Sequence, residues 1–196
     1  MKYMIIGVAL IAATSCNNAT TSSSEKKDSI GNTNQALPKQ ADTTHSPDIN
    51  VNEAMKEMVT QYLQIKNALA NDNGRDAARA GNDFVESMGK MEKNALPDDK
   101  KKIWNDISDD AKEMAEHIGK SADKLEHQRE HFDMLSTDMY DMVKAFGSGQ
   151  TLYQDYCPMY DDKKGASWLS ETKEIKNPYL GKKMPTCGSV KEEIKP

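Results

Sequence analysis

The feature that most constrains this chain is a change of pattern at Asn52, where a long polar stretch gives way to sustained helical periodicity. Met55, Met58, Val59, Tyr62, Ile65 and Leu69 recur at three- and four-residue spacings, which puts them on one stripe of a helix. Asn71-Asp72-Asn73-Gly74 is a turn signal that closes this segment. A second helix is predicted over residues 75–95, with Ala77, Phe84, Val85, Met88 and Met91 inward and Pro97 beyond its end. Asp98 and Asp99 suit the first turn of a third helix, where carboxylates oppose the helix dipole. Its inward stripe is Ile103, Trp104, Ile107, Ala111, Met114 and Ile118. Gly119 and Ser121 read as a stop and a new amino-terminal cap. The fourth helix, residues 122–146, turns Leu125, Phe132, Leu135, Met139, Met142, Val143 and Phe146 inward.

Four amphipathic helices joined by short loops predict an all-α fold, an up-down four-helix bundle. Of the ten methionines after Ala13, eight lie in these helices, where a flexible thioether is first of all a filler of core gaps. The tail from Gly147 onward keeps no period, and no segment reads as a strand. Tyr153, Tyr156, Trp168, Tyr179 and Leu180 give it enough apolar surface to pack on the bundle. The expectation is therefore an irregular, aromatic-rich carboxy-terminal tail laid on four helices.

Residues 1–15 have the order of a secretory signal: a basic start at Lys2, an apolar run over Met4–Ala13, then Thr14-Ser15 before Cys16. The apolar run is about half of the ~20 residues that a membrane-spanning helix needs. A cysteine at the cleavage point resembles the lipobox of bacterial lipoproteins, so Cys16 is the expected site of lipidation. Residues 16–48 are Asn, Thr, Ser, Lys, Asp, Gln and Pro with almost no large apolar side chains, a composition that cannot offset the entropy of ordering. They are expected to form a disordered tether between the lipid and a domain at 49–196. Asn17 and Asn18 carry no acidic run behind the anchor, which favours the periplasm-facing side, with the outer membrane as the host.

The formal charge of −5, without a basic cluster, argues against nucleic acid as a partner. With Cys16 acylated, the sulfur chemistry falls to Cys157 and Cys187. They sit in Cys157-Pro158-Met159 and Met184-Pro185-Thr186-Cys187, two cysteine–methionine pairs each held by a proline. Thiolate and thioether are soft donors that prefer Cu(I) over hard cations. The fourth helix adds His127 and His131, an i, i+4 pair on one face that can grip a single ion. Each feature also has a plainer use. Cys157 and Cys187 can close a disulfide worth roughly 3–4 kcal/mol, and the two histidines can be solvated partners of Glu126 or Glu130.

His127-Gln128-Arg129-Glu130-His131-Phe132, Tyr156-Cys157-Pro158-Met159, Gly165-Ala166-Ser167-Trp168-Leu169-Ser170, Asn177-Pro178-Tyr179 and Gly181-Lys182-Lys183-Met184 with Cys187-Gly188 together resemble domain of unknown function 3347. The resemblance runs from Asn52 to Ile194 and is closest after Leu125. In that family the domain resembles a free lipoprotein or a carboxy-terminal extension of periplasmic adaptor subunits of heavy-metal efflux pumps. Tyr-Cys-Pro-Met is also similar to the Cys-Pro-Met core of a small heavy-metal-binding domain on related adaptors. The resemblance implies metal handling, with copper or silver as the ion and efflux components as partners. Carried onto this sequence, the metal-ligand candidates are Cys157, Met159, Cys187, His131, His127 and Met184.

No Gly-rich phosphate loop, Cys-x-x-Cys pair or zinc-protease motif is present. Cys157 and His131 as nucleophile and base have no nameable orienting acid beside them. The sequence therefore points to binding rather than catalysis. The leading expectation is Cu(I) or Ag(I) held for sequestration or handover, with affinity falling at acid pH because thiolates must lose protons to bind. The other is a helical interaction module stapled by a Cys157–Cys187 disulfide.

Overall fold

The computed structural model describes residues 47–196. The expected signal segment, Cys16 and nearly all of the tether lie outside the described residues. Among those described, no helix is long and apolar enough to cross a membrane.

Four helices follow in order: α1 (Pro47–Ala70), α2 (Gly74–Met88), α3 (Asp98–Lys120) and α4 (Leu125–Phe146). Each packs against the next, and α4 returns to α1, which closes the bundle. The stripe read from the sequence is the core: Met55, Met58, Val59, Tyr62, Ile65 and Leu69 are all at most 1% exposed. Two expectations about boundaries need correction. The second helix stops at Met88, capped by Gly89, and residues 93–95 form a separate 3-10 turn. Ser121 does not cap α4: it ends α3, and α4 starts after Lys124. Helices α2 and α3 approach closely at Gly81, where a Cβ would meet the Ala115 carbonyl oxygen at 2.9 Å.

The all-α expectation is overturned. The tail is not irregular but forms a three-stranded antiparallel sheet of β1 (Leu152–Cys157), β2 (Ala166–Ser170) and β3 (Ser189–Ile194), in the order β2-β1-β3. Tyr153 pairs with Ser170 and Cys157 with Ala166 on one side, and Leu152 pairs with Ile194 on the other. A register shift between Gln154 and Asp155 breaks the two-residue alternation that would have marked β1 as a strand. At the edge, β3 reads Ser-Val-Lys-Glu-Glu-Ile, and charged edge strands carry little hydrophobic signal. Strand β2 rests on α4 and α1, so the sheet adds a second layer to the bundle.

Polar contacts join the layers. The Tyr62 hydroxyl lies 2.8 Å from Ser136 Oγ and accepts from the Leu169 backbone N–H at 3.0 Å. The Tyr179 hydroxyl donates to the Ser167 carbonyl at 2.5 Å. Arg129, 4% exposed, donates from Nε to the Pro178 carbonyl (2.9 Å) and from Nη2 to the Leu69 carbonyl (3.2 Å) and Asp72 Oδ1 (2.6 Å). Gly181 has a φ of +51°, and a Cβ there would collide with the Asp72 carboxylate beside the guanidinium. Lys66 Nζ, fully buried, donates to Glu171 Oε2 at 2.6 Å. Burial holds the Lys66 amine below its usual range, partly opposed by Glu171.

Asp155 is the unusual group in this layer. It is fully buried, and neither carboxylate oxygen has a hydrogen-bond partner among the described residues. Burial pushes its pKa up to about 7, with Lys66 opposing and Glu171 adding to the rise. A carboxyl whose folded pKa exceeds its unfolded value stabilises fully below the unfolded pKa, near 3.9, and that stability drains away as pH rises through about 7. Asp155→Asn is therefore expected to be more stable than wild type at pH 8, by about 1 kcal/mol or more, with the gap shrinking toward pH 5. Urea unfolding at both pH values checks the sign. Arg129→Ala strips the donor from the Pro178 carbonyl, one of two donors from the Leu69 carbonyl and the ion-pair partner from Asp72, and is expected to cost about 2–4 kcal/mol, read in the same assay at pH 7.

Candidate metal centre

The structure gathers the predicted ligands into two groups, one of sulfur and one of imidazole. The sulfur group sits where β1 ends. Cys157 is the last residue of β1 and fully buried, because its strand position points it into the core. Cys187 arrives from the far end of the tail with its Sγ 2.9 Å from Cys157 Sγ, and both are free cysteines. The turn that delivers Cys187 is built by Asn177. Its side-chain oxygen accepts from the backbone N–H groups of Tyr179 and Leu180, both at 2.8 Å, while its Nδ2 donates to the Cys187 carbonyl at 2.7 Å. The Cys187 N–H in turn donates to the Met184 carbonyl at 3.2 Å.

The Cys187 thiol is pushed up to about 11, first by its hydrogen bond with Cys157 and then by burial and the charge of Cys157, against a backbone N–H from Met159. Met159 and Met184 are exposed, at 46% and 39%, although both stand in the chain beside the turns that carry the thiols.

The imidazole group lies between the end of α3 and the start of α4. His127 Nε2 and His131 Nε2 are 3.1 Å apart. His117, in the last turn of α3, completes the cluster, its ring stacked on that of His131 at a centroid distance of 4.4 Å. One donor atom from each of the three lies within 4.8 Å of the others. Two sets of contacts hold the rings. His127 Nδ1 is 3.4 Å from Glu130 Oε2, the pairing foreseen from the sequence, and His131 Nδ1 is 3.3 Å from Met114 Sδ. Burial, then the His127 and His117 rings, hold the His131 pKa below its usual value.

Among the described residues, no group of three or more His, Cys, Asp or Glu donors at this spacing combines a histidine with a cysteine. Cys157 and Cys187 meet as the sequence reading required, and His127 and His131 meet as well. The two pairs do not form one donor cluster. His117 was missed because it stands on a different helix and reads as a basic residue completing a helix carboxy terminus. Counting outward from the turn at residues 121–124 pairs His117 with Gln128, one residue after His127 and three before His131, which places it within a turn of both.

The model of a family described as "Protein of unknown function (DUF3347)" matches residues 58–151. That match supports the DUF3347 family. It covers the described bundle from within α1 through α4 and ends before Cys157, so the cysteine–methionine turns lie outside it. No curated protein and no solved structure matches the chain.

The raised Cys187 pKa has a direct chemical consequence. Cys187 thiolate is scarce at pH 8, and thiolate is the species that alkylates. In the reduced native chain, iodoacetamide at pH 8 is expected to label Cys187 at least about tenfold more slowly than in urea, with the rate climbing through pH 9 and 10. Mass spectrometry of the labelled peptides reads this. Equal native and unfolded rates at pH 8 would show the thiol to be unperturbed.

Proposed function

We propose that this domain is a periplasm-facing lipoprotein module that binds a soft metal ion, Cu(I) or Ag(I), for sequestration or handover to efflux components. The observation that carries the reading is the approach of Cys157 Sγ and Cys187 Sγ to 2.9 Å from turns thirty residues apart. Two thiolates sharing one ion at bond lengths of about 2.3 Å stand roughly 3.8 Å apart in a tetrahedral site. Less than about 1 Å of opening therefore admits an ion between them. Met159 and Met184, exposed and adjacent in sequence to the same turns, supply further thioether donors. The ligand set of this reading is Cys157, Cys187, Met159 and Met184, while His127 and His131 belong to the separate imidazole cluster. The lipid anchor at Cys16 and the outer-membrane location rest on the amino-terminal sequence, and the efflux partners rest on the family resemblance.

A second reading draws on the same contact. A disulfide requires the two sulfurs to close to about 2.05 Å, again a movement below about 1 Å. The closed pair would staple the tail of an interaction module that holds no metal. Thiol titration of protein with Cys16 acylated, purified without reductant, separates the two readings. Two titratable thiols support the metal site, and none, with a mass lower by two hydrogens, supports the staple.

Anaerobically reduced chain is expected to take up one Cu(I) in competition with a chromophoric chelator, and Cys157→Ser is expected to weaken that uptake by at least about tenfold. Equal affinity in wild type and Cys157→Ser would remove the thiol pair from the function.

A further inference from the structure

Outside the sulfur pair, the densest set of ligand-type side chains is the imidazole cluster, and its internal contacts call for a cation. Glu130 and Met114 are both hydrogen-bond acceptors in their side chains. A carboxylate at 3.4 Å from His127 Nδ1 and a thioether at 3.3 Å from His131 Nδ1 each favour the tautomer that carries its proton on Nδ1. That leaves the two Nε2 lone pairs turned toward each other at 3.1 Å. Two lone pairs at this distance repel, and either a proton carried on one Nε2 or a metal ion between them relieves the repulsion. Two imidazole nitrogens bound to one tetrahedral ion at about 2.0–2.1 Å stand roughly 3.3–3.4 Å apart, within a few tenths of an ångström of the distance found.

His117 supplies a third nitrogen from the opposing helix, within 4.8 Å of the other two. Its side chain is 44% exposed and that of His127 41%, so an ion can reach the cluster from solvent. Glu113 Oε1, 3.7 Å from His117 Nε2, and Glu130 add negative charge at the rim. Carboxylates behind histidines orient the ring and strengthen it as a ligand.

We propose that His117, His127 and His131 form a second metal site, separate from the thiol pair, that binds one borderline divalent first-row ion of the Zn2+ or Cu2+ type. Neutral imidazole suits such ions, and thiolate suits softer monovalent ones, so the two donor sets divide the chemistry between them. Met114 acts behind His131 as a positioning residue.

The test uses the full chain carrying Cys157→Ser and Cys187→Ser, which removes the thiol pair, titrated with Zn2+ by calorimetry and by NMR of the histidine rings. The expected result is one Zn2+ per chain, with the rings of His117, His127 and His131 perturbed and that of His45 unchanged. His117→Ala and His131→Ala should each weaken binding by at least about tenfold, and Glu130→Gln by a similar factor through loss of its orienting carboxylate. His117→Gln and His131→Gln are measured alongside, with circular dichroism, so that a folding defect is not read as a lost ligand. Absence of Zn2+ binding in this doubly substituted chain would overturn the site. Binding unaltered by the His117 and His131 substitutions would overturn it equally. Because Cys157 and Cys187 are absent throughout, failure here leaves the Cu(I) reading standing, and failure of that reading leaves this one standing.

Discussion

Two consecutive side chains, Gln128 and Arg129, hold the molecule together at the point where all its parts meet. Gln128, fully buried, donates through Nε2 to the Gly74 carbonyl at 2.9 Å and the Ile118 carbonyl at 3.0 Å. One side chain thus joins the start of α2 and the end of α3 to α4, and satisfies a carbonyl at the frayed end of a helix. Arg129 performs the complementary task with the Leu69 and Pro178 carbonyls, joining the end of α1 and the tail to the same turn of α4. The segment His127-Gln128-Arg129-Glu130-His131 therefore has two faces. Its inner pair fixes the bundle and the tail, and its outer pair presents the imidazoles. Because Gln128 is tied to Ile118, the residue after His117, the contact that packs α3 on α4 also sets the third ring beside the other two.

The sulfur pair depends on a different support. Cys157 is held by the β1–β2 ladder opposite Ala166, and Cys187 is held by the Asn177 turn. Asn177 is itself fully buried, and its N–H donates to the Pro185 carbonyl at 2.9 Å. The turn is closed at both ends by main-chain bonds, which is how an otherwise polar stretch of Lys182, Lys183 and Thr186 presents its cysteine in one place. Tyr179, locked beneath it against Phe132, Tyr160 and Trp168, anchors that turn to the bundle core.

The helices were legible because burial follows a 3.6-residue period, and the stripe through α1 is buried at every position named from the sequence. The limits of that signal are visible in α3, where Ile103 carries the period but is 37% exposed, beyond the edge of the packed face. The end of α2 was misplaced because Met91 continues the apolar pattern and is buried, yet the backbone has already left the helix at Gly89. The strands were illegible for a physical reason. A bulge beside Asp155 and a buried carboxylate replace the apolar alternation that identifies a half-buried strand, and the edge strand is charged. The meeting of Cys157 with Cys187 was legible as a possibility from their matched proline turns. The third histidine was not, because its partners lie across a turn rather than along one helix.

The separation of the two donor sets changes what each can respond to. In a single composite site, oxidation of the thiols would remove half the ligands of one ion and change the geometry of the rest. Here the sulfur atoms and the imidazoles share no hydrogen bond among the described contacts, and they are carried by different elements, a sheet with its turn and a helical hairpin. Loss of two electrons and two protons joins Cys157 to Cys187 and removes both thiol donors, but touches no atom of the histidine cluster. Acid acts on both sets by a common rule, since imidazole and thiolate alike must shed a proton before they can bind a metal. Disulfide chemistry is thus confined to the sulfur pair, while protonation reaches both sets, a division that follows from which backbone carries which side chain.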